Sequence, residues 1–137
     1  MKSHIHSKNS VKRWGGDESD FQAIHDFIDQ SKSHFPDVRH RALLHSSFGL
    51  YIVGEAFGHL EVIGNSIVKR PYIITQDNVK VSVKDIAEHH ILEDLGRIPT
   101  VQDYLQNMKQ QVWMSGLAGK RLEKLLERAI IVEGKEK

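Results

Sequence analysis

The sequence predicts a mainly α fold of about five helices, with a small β-hairpin or three short strands inserted near residues 60–82. Three observations carry this. Apolar residues recur at helical spacing from Phe21 to Ile28 and again from Val38 to Phe57. β-Branched and aromatic residues concentrate between Leu60 and Thr75, set off by the turn pairs Gly64-Asn65 and Asp77-Asn78. Helix-capping patterns then return at Ser82–Asp85 and Thr100–Asp103. At 137 residues, 39% hydrophobic and 27% charged, the chain suits a single domain over 1–137 with its own core.

Residues 1–16 read as an irregular N-terminal arm that ends in a turn at Gly15-Gly16, either a disordered terminus or an arm folded over the site to supply a ligand. Asp17 or Ser19 caps a helix of 18–32, with Phe21, Ile24, His25 and Ile28 on its apolar side. Pro36 breaks the chain, and Asp37 caps a helix of 38–58. That helix is apolar on two sides, through the stripe Val38, Ala42, His45, Gly49, Ile52 and Ala56 and the flank Leu43, Leu50, Val53 and Phe57. It is expected to be central and buried, with His45 facing the interior and Gly49 leaving room for a close approach. Ser82 opens a helix of 83–95 that Gly96 stops, and Thr100 opens another bearing Val101, Tyr104, Leu105 and Met108. The segment 117–137 reads as an amphipathic helix of 118–133 with a frayed tail. Trp14 and Trp113 are expected to anchor the two ends to the core.

Composition excludes several classes. There is no cysteine, hence no disulfide, thiolate nucleophile or cysteine–zinc site. A net charge of +1 gives no strongly basic face, so nucleic acid is not an expected partner. No stretch is apolar and long enough to span a membrane, and the start lacks the apolar run of a signal peptide. A cytoplasmic location, in a bacterium or an infected host cell, is the expectation. P-loop, dinucleotide and Gly-x-Ser-x-Gly motifs are absent.

The chemistry lies in nine histidines, most of them in the clusters His4/His6, His25-Asp26, His34/His40/His45 and His89/His90. Neutral imidazole is the commonest transition-metal ligand and exchanges protons near neutral pH. His90 and Asp94 are one helical turn apart, as are His89 and Glu93, so each pair can hold a cation or join a base to its orienting acid. The plainer reading is a surface pair stabilising the helix by a few tenths of a kcal/mol. A buried His45 needs a hydrogen-bond partner or a metal, since an unsatisfied polar group costs on the order of 1–3 kcal/mol. His25, beside Asp26 and Asp29, also falls on an apolar side. If His25, His45 and His90 turn inward, three helices converge on one polar centre with Asp94 as its carboxylate, while His34, His59, His4 and His6 fall to background. Arg39 and Arg41 can hold a phosphate bidentately or simply form a solvated face, and Arg70 is a third candidate.

Two function classes follow. One is a metal-dependent hydrolase of a phosphate ester or nucleotide. His25, His45, His90 and Asp94 would bind Mn, Fe or Zn, and the ion would lower the pKa of a bound water. Glu93 or His89 would act as general base, with Arg39, Arg41 and Arg70 on the substrate. The other is a non-catalytic accessory protein that binds a host protein or sequesters a nucleotide, with the C-terminal helix forming a homo-oligomer or a partner surface.

Two segments, Ser31–Gly49 (SKSHFPDVRHRALLHSSFG) and His90–Thr100 (HILEDLGRIPT) with Trp113-Met114 downstream, resemble an uncharacterised family of small phage and bacterial proteins. The resemblance runs from His4 to about Met114 and implies no activity, only a plausible phage origin. More distantly, Arg41–Ser46 and His90–Pro99 resemble HD-domain phosphohydrolases, helical proteins whose metal ligands are a histidine, a His-Asp doublet and a later aspartate. Here His90 and Asp94 are not adjacent, and the doublet His25-Asp26 precedes His45.

Overall fold

A computed structural model describes residues 1–116 and 123–128. The chain divides into two compact units, Met1–Gln106 and Asn107–Lys137. The first unit is mainly helical with two small antiparallel hairpins, the expected fold class.

The N-terminal segment corrects the sequence reading. Helix α1 spans Ser3–Trp14, where an irregular arm was expected. Its fully buried residues are His6, Ser7 and Ser10, and its apolar contacts with the core, Val11 and Trp14, sit only near its C-terminal end, so no apolar stripe runs the length of the helix. Hydrogen bonds to α2 (Glu18–Asp29) replace that stripe: Ser3 Oγ donates to Asp26 at 2.6 Å and Ser7 Oγ to Gln22 at 2.7 Å. Gly15, at φ 82°, ends α1 in a conformation that favours glycine.

Helix α2 begins at the expected cap, a reciprocal box between Asp17 and Asp20, and buries Phe21, Ile24, His25 and Ile28. A 3-10 turn over Gln30–Ser33 completes the expected segment.

The single helix expected over 38–58 is broken in two. A 3-10 turn at Val38–His40 leads into α3 (Arg41–Leu44), and α4 spans Ser47–Ala56. His45 leaves the helical region (φ −88°, ψ 57°), and extended Ser46 caps α4 by accepting the Gly49 N–H at 3.1 Å. A Cβ on Gly49 would lie 1.8 Å from the Leu44 carbonyl oxygen, so glycine permits the fold-back. Apolar spacing continues across the break, which is why it was not visible.

Strands β1 (His59–Ile63) and β2 (Ser66–Arg70) pair through the Gly64-Asn65 turn, and β3 (Tyr72–Ile74) pairs with β4 (Lys80–Ser82). Two hairpins thus stand where one hairpin or three strands were expected. β4 is three residues long, too short for alternation to register. Helix α5 (Val83–Leu95) starts at Ser82, whose Oγ accepts the Asp85 N–H, and stops at left-handed Gly96. Helix α6 (Val101–Leu105) carries the expected Thr100–Asp103 box.

The core lies among α2, α4 and α5, where Phe21, Ile24, Ile28, Val53, Ile86, Ala87 and Ile91 are buried. Trp14 stacks on Phe21 at its edge, as an anchor should. Trp113 belongs to the second unit and is exposed. Of the helix expected over 118–133, residues 123–128 are helical and the others lie outside the described residues. Among the described residues, no helix is long and apolar enough to cross a membrane.

Candidate metal centre

Helical spacing sets up two matched pairs. His25 and Asp29 sit one turn apart on α2, and His90 and Asp94 one turn apart on α5. The break after α3 turns His45 in between them, and α1 brings His6 over the top of His90. All four histidines are buried. The Asp94 side chain is 1% exposed and that of Asp29 20%.

Four ligand atoms from three places in the chain meet here. His45 Nε2 lies 2.9 Å from Asp94 Oδ2 and 3.4 Å from Asp29 Oδ1. His90 Nε2 lies 3.1 Å from Asp29 Oδ1 and 3.4 Å from Asp94 Oδ2. All four atoms fall within 4.8 Å of one another. Ligands about 2.0–2.1 Å from an ion stand roughly 3.3–3.4 Å apart at tetrahedral angles and roughly 2.9 Å apart at right angles. The four measured edges span that range.

The surroundings of His90 suit a ligand. Its Nδ1 is 2.8 Å from His25 Nδ1, and His25 Nε2 is 2.8 Å from Ser10 Oγ. Burial, then the neighbouring His90 and His6, push the His25 pKa down to about 3, so His25 is neutral at physiological pH. When His90 Nε2 carries a lone pair, His90 Nδ1–H donates to His25 and His25 Nε2–H donates to Ser10, the outer hydrogen bonding that ligating histidines require.

The remaining groups settle the charge. Burial works against ionising Asp29 and Asp94, but their histidine partners hold both well below the usual carboxylate range. Burial also opposes charge on His45 and His6, yet carboxylates outweigh it and raise both: Asp29 and Asp94 for His45, Asp94 and Glu93 for His6. His6 Nδ1 hydrogen-bonds Glu93 Oε2, and its Nε2 faces Asp94 Oδ1 at 3.1 Å. The Met1 amine also lies 3.1 Å from Asp94 Oδ1. Tyr104 OH donates to the His45 carbonyl at 2.7 Å and pins that turn, while His45 Nδ1 is buried with no hydrogen-bond partner.

Of the residues picked from the sequence as ligands, His45, His90 and Asp94 come together. His25 stands behind His90, and Asp29 takes the fourth place. The nitrogens of His6, His25 and His90 also cluster, but the His6 and His90 rings stack with centroids 3.7 Å apart and planes 22° apart. Their lone pairs lie in separate, nearly parallel planes, so they do not converge on one ion.

The other candidates are placed differently. His89 meets Trp14 edge-on, on another face of α5 from His90. Glu93 touches the cluster only through His6. Arg39 is exposed and paired with Asp37, and Arg70 is paired with Glu61 on the β1–β2 hairpin. Arg41 is half-buried one turn before His45, with its Nε buried and unpartnered. Sequence reasoning did not select Asp29 for the cluster although His25–Asp29 repeats the spacing of His90–Asp94. It set His6 toward the background, with an arm folded over the site as the alternative, because no apolar stripe along residues 3–14 marked a helix there.

Fold and site together define a small helical protein with a buried histidine–carboxylate cluster of a kind that can in principle hold a metal ion. The chain belongs to the DUF6915 family, a domain of unknown function, whose profile matches residues 1–114 and so takes in every residue of the cluster. This agrees with the resemblance to an uncharacterised family and brings with it neither an HD-domain relationship nor a phage origin. No curated protein and no solved structure matches the chain.

Proposed function

We propose that this chain is a divalent-metal protein that hydrolyses a phosphate ester or nucleotide, with Asp29, His45, His90 and Asp94 as its ligands. The meeting of these four ligand atoms at metal-like spacing carries the reading. Charge supports it. Without an ion, Asp94 is compensated by His6, His45 and the Met1 amine; a dication would take over that role and displace the proton that the carboxylates favour on His45. Mn, Fe and Zn all accept this mixture of imidazole and carboxylate.

An ion here would act as a Lewis acid and lower the pKa of a water it binds. The chain's own residues do the rest. Asp29, the most exposed of the four, marks the side from which water and substrate approach. Arg41 brings a cation next to the His45 turn, suited to a phosphate oxygen. Tyr104 pins the backbone of the His45 turn, and the His25–Ser10 pair orients the His90 ring. A second reading, a protein that holds its ligand without turnover, draws on the near-complete burial of His45, His90 and Asp94.

Elemental analysis of tag-free protein tests the first reading. The expected result is at least one Mn, Fe or Zn ion per chain, metal-dependent release of phosphate from a nucleotide or aryl phosphate, and loss of both in Asp94→Asn. Folded protein that takes up no divalent ion would sink the proposal. Metal uptake without turnover would favour the second reading.

A further inference from the structure

Asp94 presents its two oxygens to two different sets of nitrogens. Oδ2 faces His45 Nε2 at 2.9 Å and His90 Nε2 at 3.4 Å, within the four-ligand set. Oδ1 faces His6 Nε2 and the Met1 amine, each at 3.1 Å, outside that set. The His6 and His90 rings are stacked, with centroids 3.7 Å apart, and both turn Nε2 toward this one carboxylate. Because both Nε2 atoms face Asp94 from nearly parallel ring planes, they mark two positions side by side, separated by about the stacking distance. Paired ions in two-metal hydrolytic sites stand about 3.5–4 Å apart.

His6 is also oriented as a ligand. Its Nδ1 is bonded to Glu93 Oε2, the carboxylate–histidine arrangement that fixes a ligating ring with its other nitrogen facing the ion. Neither the local sequence nor the apolar core requires a histidine on the buried face of α1. Its position follows from Glu93 and Asp94 on α5.

We infer that the centre is dinuclear: Asp94 bridges one ion held by Asp29, His45 and His90 and a second, weaker one held by His6 Nε2 and Asp94 Oδ1, with Glu93 as the positioning residue for His6. This rests on the proposed metal centre and deepens it. With only two of these side chains as ligands, the second ion keeps open positions. A phosphate ester could then place one oxygen on each ion, so the substrate class is one whose reacting group spans two metals.

Metal stoichiometry separates the two ideas. Metal-free protein is titrated with Mn(II) and followed by calorimetry and by electron paramagnetic resonance. Wild type should take up two ions per chain, the second more weakly, with a spin-coupled signal at saturation. His6→Ala should bind one ion with an uncoupled signal. Glu93→Gln should keep the first affinity and weaken the second by about 10–100-fold. Uptake of a single ion by wild type, unchanged in Glu93→Gln, would overturn the dinuclear inference and leave the mononuclear centre standing. Uptake of none would overturn both. If His6→Ala fails to fold, the wild-type stoichiometry and Glu93→Gln still decide.

Discussion

His25 is the residue whose chemistry is most altered by its surroundings. Its pKa falls from 6.5 to about 3, first through burial and then through His90 and His6. The unfolded chain therefore takes a proton there as pH drops below about 6.5, and the folded chain resists until about 3. The stability it contributes is present above the unfolded value and is lost progressively between the two. His40, lowered by burial and by His45, acts in the same direction. His6 and His45 act oppositely: raised pKa values give stability that is complete below 6.5 and is lost as pH rises through the folded values. Asp29 and Asp94 add losses only in strong acid, because their unfolded value is 3.8. For metal-free protein, the urea midpoint should fall between pH 6.5 and 4.5, and fall less steeply in His25→Asn. Equal slopes in the two proteins would show that His25 is not held neutral. The sequence revealed this residue through its place on the stripe of α2. It did not reveal that the partner is another histidine, because that contact spans 65 positions of chain.

The decisive element is the α3–α4 break, which turns His45 toward α2 and α5. Two residues build it, and each can be tested. Ser46→Ala removes the α4 cap and should cost about 1 kcal/mol in denaturant unfolding. Gly49→Ala forces a methyl group against the Leu44 carbonyl, a contact that no side-chain movement relieves. It should cost about 1–3 kcal/mol and displace His45, weakening metal uptake as well. A Gly49→Ala protein with wild-type stability and metal affinity would show that the close approach is not needed. Elsewhere, caps were the most legible feature. Asp17, Ser82 with Gly96, and Thr100 mark boundaries that the fold keeps, because capping is satisfied locally. The break escaped notice because Ala42, His45, Gly49 and Ile52 keep helical spacing whether or not the backbone is continuous.

At the scale of the molecule, the cluster joins α1, α2, the His45 turn and α5, so an ion bound there should link folding to metal. A divalent ion at a hundredfold excess over its dissociation constant should stabilise wild type by about 2.7 kcal/mol. Thermal unfolding with and without chelator measures this, and Asp94→Asn should show no shift. If the chelator leaves the wild-type midpoint unchanged, the ligands do not meet an ion in the folded state. Three things were determined by the sequence alone: the helical class, the helices around Phe21–Ile28 and Ile86–Ile91, and a supply of imidazole and carboxylate at one-turn spacing. Those properties are local, set by periodicity, capping and residue type. Which histidines meet, and that Asp29 and His6 join them while His89, Arg39 and Arg70 do not, was decided by the tertiary structure. The fully buried residues of α1 are polar and the turn at His45 is made by a close backbone approach, and neither leaves a trace in the spacing of apolar residues.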